Sequence, residues 1–231
     1  INGKDIPFLS VWIICSYYLF IIIENFYHNK KNSLKIILSI SFFTAFLITI
    51  RITGILILFE YLIALIIFIN IRDINILTFL NKHLRFFVFF SILLFLFTYI
   101  LNPILWLNPF EFFKSIEWMS KYYHDICTLT FGKCMRSLNL PSSYIFIWFF
   151  FKLPILVLFG LLLYPFVEKH IMNDGIKTIY YLTVLFTLLS ILFIFIIKKV
   201  ALYDEIRHIM FLIPLIFLVA LYNVFIFNKK I

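Results

Sequence analysis

The chain has 231 residues, of which 64% are hydrophobic and 13% charged, and its formal net charge is +9. A soluble domain of this length would carry about twice that fraction of charged residues. The composition therefore excludes a soluble globular protein and indicates a polytopic membrane protein. The Lys and Arg residues are dispersed along the chain, and anchoring at the headgroups of a lipid bilayer explains most of them. The positive net charge therefore does not indicate a nucleic acid partner.

Apolar runs long enough to cross a bilayer recur along the whole chain. A membrane-spanning helix needs about 20 apolar residues, and helices satisfy their own backbone groups in lipid whereas open strands do not. The sequence therefore predicts an all-α fold, a polytopic transmembrane helix bundle. The seven predicted spans are residues 6–27, 34–50, 54–70, 86–101, 144–164, 176–197 and 208–227.

Two charged residues of the first half of the chain are candidates for more than anchoring. Arg51 lies between the second and third spans, at the tip of a tight helical hairpin, close to Gly54, which permits close approach. Its guanidinium could anchor at headgroup phosphates or bind a substrate phosphate in bidentate fashion. Glu60 falls inside the third span, where a carboxylate must be neutral, paired or in a polar cavity. A protonated or hydrogen-bonded contact between helices is the simpler expectation for Glu60.

The longest loop, residues 102–143, contains a predicted helix from about residue 109 to 124. Asn108 is a suitable cap, Pro109 a suitable first residue, and Glu111 places an acid in the first turn. Helical spacing predicts an amphipathic helix that lies flat on a membrane surface, either as an ordinary lipid-surface helix or as a lid over a lipid-linked substrate. The apolar face of this helix would consist of Phe112, Ile116, Met119 and Tyr123.

The distribution of basic residues predicts an orientation. Outside the long loop, Lys and Arg are more frequent on the face that holds residues 28–33, which favours that face as cytoplasmic. Loop 102–143 is then extracytoplasmic, where Cys127 and Cys134 could form a disulfide or remain free thiols. The parity of seven spans places residues 202–208 on the same outer face as the loop.

The segment 202–208, with the sequence LYDEIRH, lies between two apolar runs and contains two acids, an Arg and a His. Ionisable groups beside a bilayer core are costly, so a cluster of them indicates a function. Arg207 and His208 could bind a phosphate, and Asp204 could orient His208 or bind sugar hydroxyls. The alternative is a charged helix cap at the interface. Asp204 and His208 could bind a divalent metal, but two ligands are too few to define a metal site, so no cofactor is assigned.

Several of these segments occur in an order known from one enzyme superfamily. Residues 202–208, followed by MFLIP at 210–214, are similar to a YDGxRHxxFxxP stretch, residues 106–110 to a W-x-x-P loop start, and residues 51–54 to an R-x-x-G hairpin. A run of the form F-x-G…LPxxY…W…P is similar to Phe131, Gly132, Lys133, Leu140, Pro141, Tyr144, Trp148 and Pro154. From about residue 45 to 220, the chain resembles the bacterial integral-membrane glycosyltransferases of the GT-C superfamily, which are related to protein O-mannosyltransferases and lipid A aminoarabinose transferases.

The resemblance implies transfer of a sugar from a polyprenyl-phosphate-linked donor to a hydroxyl acceptor, on a protein or a glycolipid. The reaction would take place at the outer face of a bacterial inner membrane. Residues 1–231 would be part of a single membrane domain whose N-terminal portion, with the catalytic acid, precedes Ile1, so no catalytic residue is assigned in this chain. The substrate- and phosphate-binding residues implied are Arg51, Lys133, Tyr203, Asp204, Arg207 and His208.

Two other classes of membrane protein remain as alternatives. A transporter or flippase-like subunit for a lipid-linked anion would also need intramembrane charge and outer-face cations. It predicts discontinuous helices and an alternating cavity, whereas the glycosyltransferase predicts a fixed site open to the outer face. A structural membrane subunit predicts no clustering of Arg51 with Arg207.

Overall fold

The computed structural model describes residues 3–121, 127–130, 132–136, 140–141, 143–198 and 207–230. Within these ranges the regular structure consists of helices and one small β-hairpin, joined by short turns and loops. The helices are α1 (Asp5–Tyr27), α2 (Leu34–Ile50), α3 (Ile57–Ile71), α4 (Ile76–Leu101), α5 (Pro103–Leu107), α6 (Glu111–Lys121), α7 (Tyr144–Lys152), α8 (Ile155–Leu162), α9 (Tyr164–Ile171), α10 (Gly175–Ile197) and α11 (Ile213–Lys230). Two 3₁₀-helices, Ile52–Leu56 and Arg207–Leu212, precede α3 and α11, and the hairpin strands are β1 (Cys127–Thr130) and β2 (Lys133–Arg136).

Five helical segments of the described chain are long and apolar enough to cross a membrane. They are Asp5–Tyr27, Ile52–Ile71, Ile76–Leu101, Gly175–Ile197 and Ile209–Lys229. Helix α2 is apolar but has 17 residues, and α7 and α8 meet the criterion only as a bent pair. The prediction of a mainly helical protein is confirmed, with several helices long and apolar enough to cross a membrane, and the count of seven spans stays a prediction.

Side-chain caps explain where two helices of the first half, α2 and α4, begin. The Ser33 hydroxyl accepts a hydrogen bond from the backbone N–H of Ile36, which caps α2. The side-chain oxygen of Asn75 accepts one from the N–H of Leu77 at 2.9 Å, which starts α4 at Ile76. The predicted start of this span near residue 86 is therefore wrong, because the polar residues before it form the first turns of the helix and do not form a loop.

The predicted span 144–164 is interrupted at Pro154. Proline has no N–H to donate, and it disfavours the helical conformation of the residue before it. Leu153 accordingly adopts an extended backbone, with φ −80° and ψ 141°, and α7 ends at Lys152. Helices α7 and α8 meet at a bend of 119°. The expectation of one continuous helix is wrong here.

The long loop contains a helix and a hairpin. Helix α6 runs from Glu111 to Lys121, within the predicted range, and the Asn108 side chain accepts from the N–H of Phe110 at 3.1 Å and donates to Glu111 Oε1 at 3.2 Å. Phe112 is half-buried, while the other predicted members of the apolar face, the side chains of Ile116, Met119 and Tyr123, lie outside the described residues. The position of α6 on a membrane surface stays a prediction.

The hairpin was not predicted from the sequence. Strands β1 and β2 pair antiparallel, with Thr130 opposite Lys133. Gly132 has φ 72°, a left-handed conformation that glycine adopts without steric cost. A disulfide joins Cys127 to Cys134, whose Cα atoms are 5.4 Å apart. The pairing that the sequence left open is therefore present.

The chain divides into two compact units. The first comprises Ile1–Lys121 and Gly175–Thr183, and the second comprises Tyr122–Asp174 and Val184–Ile231. The prediction that residues 1–231 are part of a single membrane domain stays a prediction. Each unit is held by packing of apolar helices, in which small residues allow backbones to approach closely.

Candidate functional site

Arg51 connects the end of α2 to the start of α1. Its Nη2 forms an ion pair with Oδ1 of Asp5, and its Cζ lies 5.9 Å from the centroid of the Phe8 ring. Asp5 is 5% exposed, and the Arg51 side chain is 21% exposed. Because the buried carboxylate neutralises much of the guanidinium charge, Asp5 alone is sufficient to explain where Arg51 lies. A role for Arg51 in phosphate binding stays a prediction.

Lys133 lies on the disulfide-closed hairpin. It is the first residue of β2, and its side chain is exposed, as is that of Arg136 at the end of the same strand. The disulfide between Cys127 and Cys134 fixes the two strands together, so both cations belong to one covalently closed element. This geometry suits contact with an external anion, which needs exposed donors on a fixed backbone.

The charged segment 202–208 is only partly described. Tyr203 and Asp204 lie outside the described residues, as does the side chain of His208. Arg207 begins the 3₁₀-helix Arg207–Leu212 and is half-buried. The 3₁₀-helix continues into α11, so Arg207 stands at the start of an apolar segment, as predicted. The proposed helical-turn relation between Asp204 and His208 stays a prediction.

The predicted cation cluster is distributed over both units. Arg51 belongs to the first unit, and Lys133 and Arg207 belong to the second. Their convergence on one phosphate therefore stays a prediction. Among the described residues, no group of three or more His, Cys, Asp or Glu side chains could hold a metal ion.

Sequence reasoning missed a buried polar cluster between α1, α2 and α3, which we term the core polar cluster. The indole N–H of Trp12 donates to Glu60 Oε2 at 2.9 Å. The hydroxyls of Thr44 and Tyr61 share a hydrogen bond of 2.7 Å, and Cys15 Sγ lies 3.9 Å from Thr44 Oγ1. All five side chains are buried. The core polar cluster therefore links three apolar helices through groups that water does not reach.

Glu60 is the one member of this cluster that the sequence singled out. Its expected role as a hydrogen-bonded contact between helices is confirmed, with Trp12 as the partner. Glu60 is 0% exposed, and its Oε1 has no hydrogen-bond partner in the described part of the chain. Trp12 and Thr44 carried no signal in the sequence, because single polar groups in apolar helices show their partners only after the helices pack.

Comparisons with known protein families, with curated proteins and with solved structures find no match to this chain.

Proposed function

We propose that this chain is part of an integral-membrane glycosyltransferase, which transfers a sugar from a polyprenyl-phosphate donor to a hydroxyl acceptor on a protein or glycolipid. The observation that carries the proposal furthest is the disulfide-closed hairpin with its exposed Lys133 and Arg136, in the loop between α4 and α7. Disulfides persist in oxidising compartments, which supports an extracytoplasmic loop. The order of the motifs that resemble GT-C enzymes supports the chemistry. The membrane is then a bacterial inner membrane with the active face outward.

The reaction requires positive charge beside the leaving group. The bond between the sugar and the lipid phosphate breaks, and its electron pair stays on the phosphate, which gains negative charge. Ammonium and guanidinium groups stabilise that charge in the transition state. Lys133 and Arg207 are the candidates in the second unit and Arg51 is the candidate in the first. Tyr203, Asp204 and His208 would position the donor.

A new bond forms between the sugar and the acceptor oxygen, whose proton must pass to a general base. Two carboxylates of the first unit are poorly suited to this role. Asp5 is buried and paired with Arg51, and Glu60 is fully buried between helices. We therefore assign neither Asp5 nor Glu60 as the general base.

The test is sugar transfer by the full gene product in membrane vesicles supplied with a radiolabelled polyprenyl-phosphate sugar. We expect Arg207→Ala to lower the rate by roughly 10²-fold or more, the magnitude typical of one lost transition-state donor. Arg207→Lys should recover part of the rate, because Lys keeps the charge but lacks the planar fork. Lys198→Ala is the matched control, since Lys198 is an exposed cation at the end of α10. Equal rates for Arg207→Ala and Lys198→Ala would contradict the proposal.

One observation favours the alternative of a transporter or flippase-like subunit. Transporters of lipid-linked anions use discontinuous helices, and the α7–α8 pair is broken by 119° at Pro154. An assay on proteoliposomes distinguishes the two functions by what happens to the polyprenyl phosphate. A flippase moves a fluorescent polyprenyl phosphate between leaflets without a sugar acceptor, whereas a transferase releases free polyprenyl phosphate only when the acceptor is present.

A further inference from the structure

Asp5 and Glu60 are two buried carboxyl groups of the first unit, and they differ in whether a basic side chain lies beside them. Asp5 is 5% exposed and pairs with the guanidinium of Arg51. Glu60 is 0% exposed, and no basic side chain of the described chain interacts with it. An ionised carboxylate in an apolar interior is unfavourable unless a cation compensates it. The two groups should therefore hold different charges, with Asp5 ionised and Glu60 neutral.

The groups around Glu60 are hydrogen-bonding and weakly acidic. Trp12 and Ser16 of α1 face its carboxyl group, and Cys15 of α1 and Tyr61 of α3 are the titratable side chains that interact with it. Cys15 and Tyr61 would each become negative on ionisation, so neither can compensate a carboxylate. Helix α2 contributes the neutral hydroxyl of Thr44, which bonds Tyr61 at 2.7 Å. The hydrogen bonds of Trp12 and Ser16 would favour a carboxylate, but no member of this set carries a positive charge that could compensate one in an apolar interior.

The hydrogen bonds of the carboxyl group match its neutral form. A carboxylic acid has one carbonyl oxygen, which accepts, and one hydroxyl, which donates. Trp12 donates to Oε2 at 2.9 Å, so in the neutral acid Oε2 serves as the carbonyl oxygen. Oε1 has no partner among the described residues, so it is the atom left to carry the proton. The Ser16 hydroxyl donates to the Trp12 carbonyl at 3.2 Å, which leaves its lone pairs able to accept from an acid proton.

We propose that Glu60 is a proton-binding site within the membrane-embedded core, with the proton on Oε1 and the carbonyl oxygen held by Trp12. The proton maintains the contact between α1 and α3, because its loss would leave a charge that only water or a cation could compensate. The site would thus couple proton release to separation of these two helices. This inference stands apart from the proposed sugar transfer, since it depends on neither the hairpin nor Arg207.

Infrared spectroscopy of the purified full chain in detergent tests the assignment, because the carbonyl stretch of a neutral carboxylic acid is separate from the bands of a carboxylate. We expect the difference spectrum between wild type and Glu60→Gln at neutral pH to show the loss of one neutral-acid band. That band should shift when H₂O is exchanged for D₂O. The matched control is Asp5→Asn, which should remove carboxylate bands instead. Gln is the same size as the neutral acid and can still accept from Trp12, so Glu60→Gln should fold.

Two results would overturn the proposal. The first is loss of carboxylate bands in Glu60→Gln at neutral pH, which would mean that Glu60 is ionised. The second is disappearance of the neutral-acid band when sodium ions are added to wild type, which would assign the site to a metal cation. Trp12→Phe provides an independent reading, since the Glu60 carbonyl band should move to higher frequency once its hydrogen bond is removed. An unchanged band in Trp12→Phe would contradict the hydrogen-bonding scheme.

Discussion

The ion pair between Asp5 and Arg51 predicts a specific pattern in a double-mutant cycle. Arg51→Gln leaves a 5% exposed carboxylate without its cation. Removing one partner of a buried pair typically costs about 3–5 kcal/mol. The Arg51 side chain is 21% exposed, so some water reaches the pair, and we expect the lower end, about 3 kcal/mol. That is roughly a hundredfold change in the unfolding equilibrium constant.

The double variant Asp5→Asn/Arg51→Gln should recover most of that loss. Two neutral amides can hydrogen-bond to each other, and replacing both charges of a buried pair is often close to neutral. We expect the double variant to lie within about 1 kcal/mol of wild type. The assay is reversible unfolding in mixed micelles of mild and denaturing detergent, followed by tryptophan fluorescence.

Arg72→Gln is the control for removing a cation. Arg72 is exposed and stacks on Tyr27 with its Cζ 4.6 Å from the ring centroid, a contact worth about 0.5–1 kcal/mol. Strictly additive losses in the Asp5 and Arg51 variants would show that the two side chains do not interact. Arg51 would then be available for a ligand, and the interpretation of its position given above would be refuted.

Two further predictions concern the second unit. A Cβ added at Gly160 would lie 2.5 Å from the carbonyl oxygen of Ala220, so Gly160→Ala should destabilise the α8–α11 packing by about 1–3 kcal/mol in the same assay. Gly3→Ala, with no atom within 4 Å of its new Cβ, should change nothing, and equal stability of the two variants would contradict the packing. Cys127→Ser should leave a single free thiol in the hairpin, which a maleimide labels without prior reduction. Wild type should be labelled there only after reduction, and labelling before reduction would contradict the disulfide.

Apolar runs predicted the helices of this chain because a segment in lipid must satisfy its own backbone N–H and C=O groups, and a helix does so. Helices α1, α2 and α10 begin and end within two residues of the predicted bounds. Errors arose where polar residues belong to a helix or where a proline interrupts one. The first turns of α4 are polar, yet the Asn75 cap starts the helix there. Pro154 was noted only as part of a motif, although its missing N–H predicts a break.

The candidate site was less predictable because it depends on contacts between distant segments. Trp12 and Glu60 are 48 positions apart, and Asp5 and Arg51 are 46 apart. Neither pair has a spacing that one sequence could reveal. The β-hairpin has four-residue strands, which are too short for a period-two pattern to stand out. The disulfide between its strands was one of two outcomes that the sequence left open.

The orientation of the hairpin relative to the charged segment 202–208 depends on whether the bent pair α7–α8 crosses the membrane. If it crosses, Lys133 and Arg207 lie on the same face and can serve one phosphate. If it re-enters, they lie on opposite faces and the proposed site cannot form. A phosphate site that contains both Lys133 and Arg207 requires α7–α8 to cross the membrane.

The most direct measurement is labelling of single introduced cysteines by a membrane-impermeant thiol reagent, in vesicles of both orientations. Suitable exposed positions are Ser115 in α6, Asn173 after α9 and Asn228 near the end of α11. Wild type serves as the blank, because Cys15 is buried and the other two cysteines are bridged. We predict that Ser115→Cys reacts only from the outer face and that Asn173→Cys and Asn228→Cys react only from the cytoplasmic face. Reaction of Ser115→Cys and Asn173→Cys from the same face would contradict the account.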